Sequence, residues 1–367
     1  MKKLLNKIYK SIENCIVTDC EVDVGIEYFY KGMQCYDEKE YERAIKFYKQ
    51  ALKYEPNSDA TYFNIGNVFY IQKVYDEALV YYKQALLLNA KSPNAHYQIG
   101  LIYHIQQKYK KALEFYIEAE KSSKMSEDSY ENLAICYMQV KNNIKAIEYY
   151  EKVLQLNPTH KYTLQDMGYL YSQMGNQDES IKYYKRLVLI EPNEELFNLL
   201  AFFHLEKQEY KNGIQYLLNS MKYNTKNVDT LHNLSFSFFQ LKDFEKSIEY
   251  SRKLIEVEED RDAPYLNIFE SQLLLGVPFS EELEIIFIEK FKNLKSIFMI
   301  YEFLMILKHI VEKREFVLNE WDKKYENNSF LDWDFTMLGD WAEKYEDDEV
   351  KTLLLKALEF FNQRIKK

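Results

Sequence analysis

Large apolar, small and aromatic residues recur along the chain with a period of thirty-four residues. Residues 59–92 show the pattern when they are numbered as places one to thirty-four, and this numbering is kept for every repeat. Large apolar side chains stand at places four, seven and eleven, small ones at eight, twenty and twenty-seven, and tyrosines at seventeen and twenty-four: Tyr62, Ile65, Phe69, Gly66, Ala78, Ala85, Tyr75 and Tyr82. Each half of the unit has the spacing of a helix with one apolar face, so the pattern predicts a helix–turn–helix repeat.

The frame predicts about eight repeats: 25–58, 59–92, 93–126, 127–160, 161–193, 194–227, 228–261 and 262–278 onward. Five of the nine glycines fall at place eight, where two helices should approach closely, and two fall at the turn between helices: Gly32, Gly66, Gly100, Gly168 and Gly339, then Gly175 and Gly276. None of the six prolines interrupts a predicted helix.

Both ends of the chain depart from the repeat pattern. Residues 1–24 predict one helix that caps the first repeat, although a docking helix for a partner is the alternative. Residues 279–367 predict a degenerate helical C-terminal cap, including a long helix from Ile297 to Val317. An independent second domain is the alternative for this region. A cap is favoured because an uncovered end repeat would leave an apolar face in water.

This pattern resembles the tetratricopeptide repeat (TPR), a thirty-four-residue helix–turn–helix with these places filled in this way. The resemblance implies an all-α fold, a right-handed superhelix (α-solenoid) of tandem TPR units with helical caps. In TPR proteins, places two, five, six, nine, twelve and thirteen of the first helices line a concave groove in which extended peptides lie. The resemblance therefore indicates where a ligand should bind.

Place six carries an amide or a carboxylate in six repeats: Asn64, Gln98, Asn132, Asp166, Asn233 and Asn267. A row of amides can donate to and accept from a peptide backbone without selecting its sequence. The row resembles the asparagine ladder of superhelical TPR proteins that hold extended polypeptides. The alternative is that asparagine is simply common at this place in the family.

The other groove places are aromatic in the first three repeats, and the predicted contact residues there are Phe29, Tyr36, Phe63, Asn67, Tyr70 and Tyr97. An exposed aromatic surface of this kind usually marks a recognition site. From the fourth repeat the same places become more polar, beginning with Glu131. The predicted ligand therefore carries apolar anchors at one end and neutral or basic residues at the other. Burial against neighbouring repeats, or by the N-terminal helix, is the alternative.

The composition of the chain restricts the classes of partner that it could bind and the compartment in which it could work. The 367 residues carry a net charge of -10, which disfavours nucleic acid as the main ligand. The longest apolar stretch, Ile297–Leu307, is too short to span a membrane. The N-terminus lacks a secretory apolar run, and four cysteines without metal-type spacing indicate free thiols of a reducing compartment. These features predict a cytoplasmic protein.

No catalytic, cofactor or metal site is predicted. The six histidines are scattered, and no glycine remains for a phosphate-binding loop. The sequence therefore predicts a non-enzymatic scaffold or adaptor that binds a peptide segment of a partner protein in the groove. A peptide-responsive regulator resembling helical-repeat pheromone receptors, or a regulatory subunit of an enzyme complex, is the alternative.

Overall fold

The structure is a computed structural model that describes residues 24–123, 125–314 and 334–365. Within these ranges the protein consists of nineteen α-helices and contains no strand, which confirms the all-α prediction. The chain divides into two compact units, residues 1–176 and residues 177–367. The predicted N-terminal capping helix lies outside the described residues, which begin at Val24.

The first unit contains α1 (Val24–Asp37), α2 (Tyr41–Tyr54), α3 (Asp59–Ile71), α4 (Tyr75–Leu88), α5 (Pro93–Ile105), α6 (Tyr109–Ser122), α7 (Glu127–Gln139), α8 (Asn143–Leu156) and α9 (Lys161–Gln173). The first four pairs, α1 with α2 through α7 with α8, each pack together, and each pair also packs on the next. The helices thus form an α-solenoid of repeated helix pairs.

Serine caps set the starts of the first helices. The Oγ atoms of Ser58, Ser92 and Ser126 each accept a 3.4 Å hydrogen bond from the backbone N–H three residues later, and they stand thirty-four residues apart. These bonds satisfy one of the N–H groups that have no partner inside a helix. At the same place before α9, His160 accepts the Thr163 N–H through its ring Nδ1 at 3.3 Å.

The turns inside the helix pairs contain one residue with a left-handed backbone, and these residues also recur at the repeat period. They are Lys39, Lys73, Gln107, Lys141 and Gly175 in the first unit, and Gln208, Lys242 and Gly276 in the second. This conformation lets the next amide bond back to the ending helix, as Val74 N does to Phe69 O at 2.9 Å. Gly175 and Gly276 adopt it without steric cost, as predicted, whereas a lysine there carries strain.

Tyrosine rings at place twenty-four form the centre of the first four repeats. Tyr48, Tyr82, Tyr116 and Tyr150 are all buried. In the first three repeats the ring lies against the glycine at place eight, where an added Cβ would stand 2.6 Å from a ring carbon. The close approach predicted at place eight is therefore confirmed for Gly32, Gly66 and Gly100, because a flat ring packs on a bare backbone.

The second unit contains α10 (Gln177–Ile190), α11 (Glu194–Glu206), α12 (Tyr210–Ser220), α13 (Val228–Gln240), α14 (Phe244–Val257), α15 (Ala263–Leu275), α16 (Glu281–Phe291), α17 (Lys295–Val311), α18 (Thr336–Glu343) and α19 (Asp348–Ile365). One hydrophobic cluster joins α15 to the helices that follow it, through buried Phe269, Phe287, Phe303 and Phe361.

Two details of the C-terminal prediction were wrong. The helix predicted from Ile297 to Val317 ends at Val311, because Lys313 adopts a left-handed backbone with φ 52. Gly339, predicted at a close helix approach, meets no described atom within 4 Å of an added Cβ. It lies in an eight-residue helix, which is too short to reproduce the long helix pair of a full repeat.

Candidate functional site

All twelve predicted site residues are partly buried, and none is fully exposed. Ten of them lie on the odd-numbered helices of the first unit: Phe29, Tyr36, Phe63, Asn64, Asn67, Tyr70, Tyr97, Gln98, Asn132 and Asp166. The remaining two, Asn233 and Asn267, lie on α13 and α15 of the second unit. The twelve predicted site residues are therefore distributed over two units, and the aromatic residues among them are more enclosed than expected.

The aromatic residue at place five packs on the buried tyrosine of the same repeat. The ring centroids are 5.8 Å apart for Phe29 and Tyr48, and 5.4 Å apart for Phe63 and Tyr82. Tyr97 repeats the contact with Tyr116 at 5.4 Å. Three successive repeats thus present the same supported ring. Such support restricts the rotamers before any ligand binds and so lowers the entropic cost of binding.

A second line of rings follows at place twelve. The ring centroids of Tyr36 and Tyr41 are 6.2 Å apart, and those of Tyr70 and Tyr75 are 5.8 Å apart. Burial, together with the nearby phenols of Tyr75 and Tyr97, raises the pKa of Tyr70. Its hydroxyl therefore stays protonated at neutral pH and can both donate and accept hydrogen bonds.

Hydroxyl and amide groups form short chains beside these rings. Tyr82 Oη donates to Asn67 Oδ1 at 2.8 Å, and Asn67 Nδ2 donates to Asn64 Oδ1 at 3.5 Å. This sequence of bonds fixes the orientation of both amides and leaves Nδ2 of Asn64 as its terminal donor. Gln98, the next member of the row, has an Oε1 atom that is shielded from solvent and accepts no hydrogen bond from the described residues.

The row also links successive repeats. Asn132 Nδ2 donates to Tyr97 Oη at 2.9 Å, and Tyr150 Oη donates to Asp166 Oδ2 at 2.6 Å. Burial raises the pKa of Asp166, although the hydrogen bond from Tyr150 acts in the opposite direction. Burial likewise raises the pKa of Glu131, and the charge of Asp166 adds to this rise. Two neighbouring carboxyl groups thus give this end of the face an acidic character.

In the second unit the row has a different setting. The Oγ atoms of Ser235, Ser247 and Ser251 lie 3.5, 2.7 and 3.2 Å from Asn267 Oδ1. The backbone carbonyl of Asn233 accepts a 2.6 Å hydrogen bond from Ser237 Oγ. The amide of Asn267 is therefore anchored in a serine cluster.

Within the described ranges, no group of three or more histidine, cysteine or acidic side chains could hold a metal ion. The two cysteines in these ranges, Cys35 and Cys136, are buried free thiols, and burial raises the pKa of Cys136 to about 12. No helix in the same part of the chain is long and apolar enough to cross a membrane.

Sequence reasoning identified the tyrosines at place twenty-four as part of the repeat pattern but missed the role of their hydroxyl groups. Tyr82 and Tyr150 reach the candidate face with their phenol oxygens, although both side chains are 0% exposed. The signal was the use of tyrosine, rather than phenylalanine, at this place in the first five repeats. A buried tyrosine needs a partner for its hydroxyl, and the polar groove places supply that partner.

Profiles of one protein family match the chain in several places. Profiles described as TPR or tetratricopeptide repeat match residues 32–73, 66–106, 93–124, 126–188 and 228–261. These matches cover more than half of the chain and agree with the helix pairs of the structure. The chain therefore belongs to the tetratricopeptide repeat family, which is typically a non-catalytic protein-interaction fold. No curated protein matched the sequence.

Several solved structures are similar to this chain, and the first of those named here shares its fold. The structure of Naa15/Naa10 bound to HypK-THB aligns with a TM-score of 0.52 and 15% identity over 91% of this chain and 54% of that one. MamA aligns with 26% identity and a TM-score of 0.40 over 43% of this chain and 92% of its own. YrrB, described as a TPR protein with an unusual peptide-binding site, aligns with 18% identity and a TM-score of 0.44 over 50% of this chain and 96% of its own. Fold and family are those of a protein-interaction scaffold.

Proposed function

We propose that the first unit binds an extended segment of a partner protein along the face formed by α1, α3, α5, α7 and α9. The observation that carries this proposal is the threefold repetition of a supported ring, Phe29, Phe63 and Tyr97, each packed on a buried tyrosine. Rings held at a regular repeat suit a ligand that runs across successive repeats and places one apolar side chain at each.

Polar groups beside the rings support the backbone part of the proposal. Asn64 offers amide N–H groups that can bond to the main chain of an extended segment, whatever its sequence. Gln98 belongs to the same proposed row, and its shielded Oε1 must turn outward to reach such a segment. In the second unit, Asn233 and Asn267 occupy the same place of their repeats and are proposed as polar ligand contacts of that unit. The bonds from Asn132 and to Asp166 occupy only part of the hydrogen-bonding capacity of these residues.

The charge of the face defines the ligand further. Glu131 and Asp166 lie at one end, and the rings lie at the other. The proposed segment therefore carries apolar side chains at its ring end and neutral or basic residues at its acidic end, where a like charge would be repelled. An acidic terminal segment would find no basic pair here, since the relevant places carry Asn94 and Gln98.

The broader role proposed is that of a non-enzymatic adaptor in the cytoplasm, with neither nucleic acid nor a membrane-inserted segment as its partner. The net charge of -10 supports the first exclusion. Domain organisation belongs to the same proposal: a capping helix at 1–24, a repeat array at 25–278 and a helical cap at 279–367. The shared hydrophobic cluster of α15 to α19 supports the cap, because it covers the apolar surface of the last repeat.

Site-specific photo-crosslinking tests the proposal. A photoreactive phenylalanine analogue replaces Phe63 on the face, and in a matched variant it replaces Val80, which is 57% exposed on the second helix of the same repeat. The expected result, in cells of the native host, is a crosslinked protein from position 63 that is absent from position 80. Mass spectrometry then maps the crosslinked segment. The proposal fails if both positions capture the same proteins or if position 63 captures none.

A further inference from the structure

A cavity of about 270 Å³ lies in the second unit between α13 and α15. Its lining includes His232, Ser235 and Phe236 from α13 and Asn267 from α15. In the repeat frame the first three residues occupy places five, eight and nine. Asn267 occupies place six of the following repeat.

In the first unit, these same places surround a tyrosine ring. The ring of Tyr82 packs on Phe63 at place five and on Gly66 at place eight, and its hydroxyl bonds to Asn67 at place nine. The hydroxyl of Tyr150 reaches Asp166, which occupies place six of the following repeat. The cavity therefore lies where other repeats hold their own tyrosine.

The seventh repeat has Ser251 at place twenty-four, and its side chain is 0% exposed. Its Oγ lies 2.6 Å from Ser235 Oγ and 3.2 Å from Asn267 Oδ1. A serine reproduces the polar contact to place six of the next repeat, but it contributes no ring. Ser251 does not line the cavity itself, but its partners Ser235 and Asn267 do, so the space left by the missing phenol ring opens into the cavity between Phe236 and Phe239.

We propose that this cavity binds the side chain of a tyrosine presented by a partner protein, so that the partner supplies the ring that the seventh repeat lacks. The phenol hydroxyl faces the amide of Asn267, whose Nδ2 is the group that can donate to it, because Oδ1 already lies against three serine hydroxyls. Phe236, 42% exposed, provides the accessible edge where a ring can enter and pack. This site lies in the second unit and shares only Asn267 with the ligand contacts proposed above, so it can be tested without the face of the first unit.

The charges around the cavity favour a neutral phenol. Burial, with a smaller effect from Arg261, lowers the pKa of His232, which is therefore uncharged at neutral pH. Glu270, 2% exposed, and Asp334 also line the cavity, and its described lining contains no lysine or arginine. A phosphorylated tyrosine would place its negative charges beside the acidic residues Glu270 and Asp334 and should be rejected.

Ligand-observed saturation-transfer NMR on the full chain tests the site with N-acetyl-L-tyrosine amide as the probe. The decisive variant is Ser235→Gly/Ser251→Tyr, which restores an internal tyrosine. The glycine reproduces the first three repeats, in which the tyrosine ring lies directly against a glycine at place eight, as at Gly66. The expected result is a saturation-transfer signal with the wild type that falls at least tenfold in the double variant and is absent with the O-phosphorylated probe.

The matched control is Phe202→Ala, because Phe202 occupies place nine of the preceding repeat and is 52% exposed; it should keep the signal. If circular dichroism shows that the double variant is unfolded, Phe236→Ala gives the same test at an exposed side chain. Equal signals from the wild type and the folded cavity variant would overturn the proposal, as would no signal from the wild type.

A displayed library of random peptides distinguishes a partner protein from a free phenol. Tyrosine should be enriched at one peptide position on the wild type, and this enrichment should disappear on the cavity variant. Binding of the probe without any tyrosine enrichment would overturn the assignment to a partner protein.

Discussion

The hydroxyl of Tyr150 donates a 2.6 Å hydrogen bond to the carboxylate of Asp166, which belongs to the next repeat. Asn132 and Tyr97 make a comparable bond between the third and fourth repeats. The row at place six thus stabilises the stacking of the repeats as well as offering groups to a ligand. A substitution in this row therefore changes both stability and binding, and an experiment must separate the two effects.

Asp166→Asn should alter the pH dependence of stability. Burial raises the pKa of Asp166 in the folded protein above its unfolded value, so its charge opposes folding above the folded pKa. That penalty disappears as the pH falls through the folded pKa toward the unfolded one. The stability of Asp166→Asn relative to the wild type should therefore decrease from about pH 7.5 to about pH 4.5, as measured by urea unfolding followed by circular dichroism.

Glu148→Gln is the control with the opposite sign. A hydrogen bond from Lys145 lowers the pKa of Glu148, so its carboxylate favours folding above the unfolded pKa, and this contribution is lost on acidification. Its stability relative to the wild type should stay level down to about pH 4.5, the ordinary pKa of a glutamate, and should increase only below that pH. Parallel pH profiles for the two variants would show that burial of Asp166 does not control its ionisation.

The bond between Asn132 and Tyr97 should have a measurable coupling energy. Asn132→Ala and Tyr97→Phe each remove it, and the double variant removes it only once. A double-mutant cycle in urea should give a coupling of about 0.5–1.5 kcal/mol, the usual net value of such a bond. Additive effects would indicate that the bond contributes nothing.

Much of the fold could be predicted because the same residue pattern recurs in several successive repeats. Tyr82 at place twenty-four and Gly66 at place eight recur at the same spacing in neighbouring repeats, so the helix pair and its close approach followed from the pattern. The aromatic residues of the candidate site were found in the same way. The sequence did not predict how far these residues are enclosed. Phe63 is shielded by the ring of Tyr82 on the second helix, and sequence spacing does not reveal that contact.

Other features could not be predicted without the three-dimensional packing of the side chains. The left-handed turns at Lys73 and Lys141 carry no glycine signal, since the bonds that close the turn outweigh the strain of a lysine there. The cavity beside Asn267 depends on a ring that is absent at Ser251, and only the surrounding side chains show that no neighbour fills the space. Sequence identifies the substitution but not its packing consequence.

The lysine turns predict a stabilising substitution. Lys73 has φ 61, a conformation that costs an ordinary residue about 1–2 kcal/mol and glycine almost nothing. Lys73→Gly should therefore raise the free energy of unfolding by about 0.5–1 kcal/mol after the larger entropy of glycine in the unfolded chain is offset. Lys83→Gly, at an exposed position inside α4, should instead lower it by about 1 kcal/mol. Both are measured by urea unfolding, and equal effects would contradict the turn argument.

The contact between Gly66 and Tyr82 predicts a local loss of stability. In Gly66→Ala the new Cβ would stand 2.6 Å from the ring, so the ring or the helix must move. Overpacking of this kind costs about 1–3 kcal/mol. Hydrogen exchange should show the loss in α3 and α4, because each repeat contacts chiefly its neighbours. Gly66→Ala/Tyr82→Leu, which removes the ring, should relieve the crowding, so that the alanine costs less in this background than in the wild type. If the alanine costs as much without the ring as with it, the crowding does not arise from Tyr82.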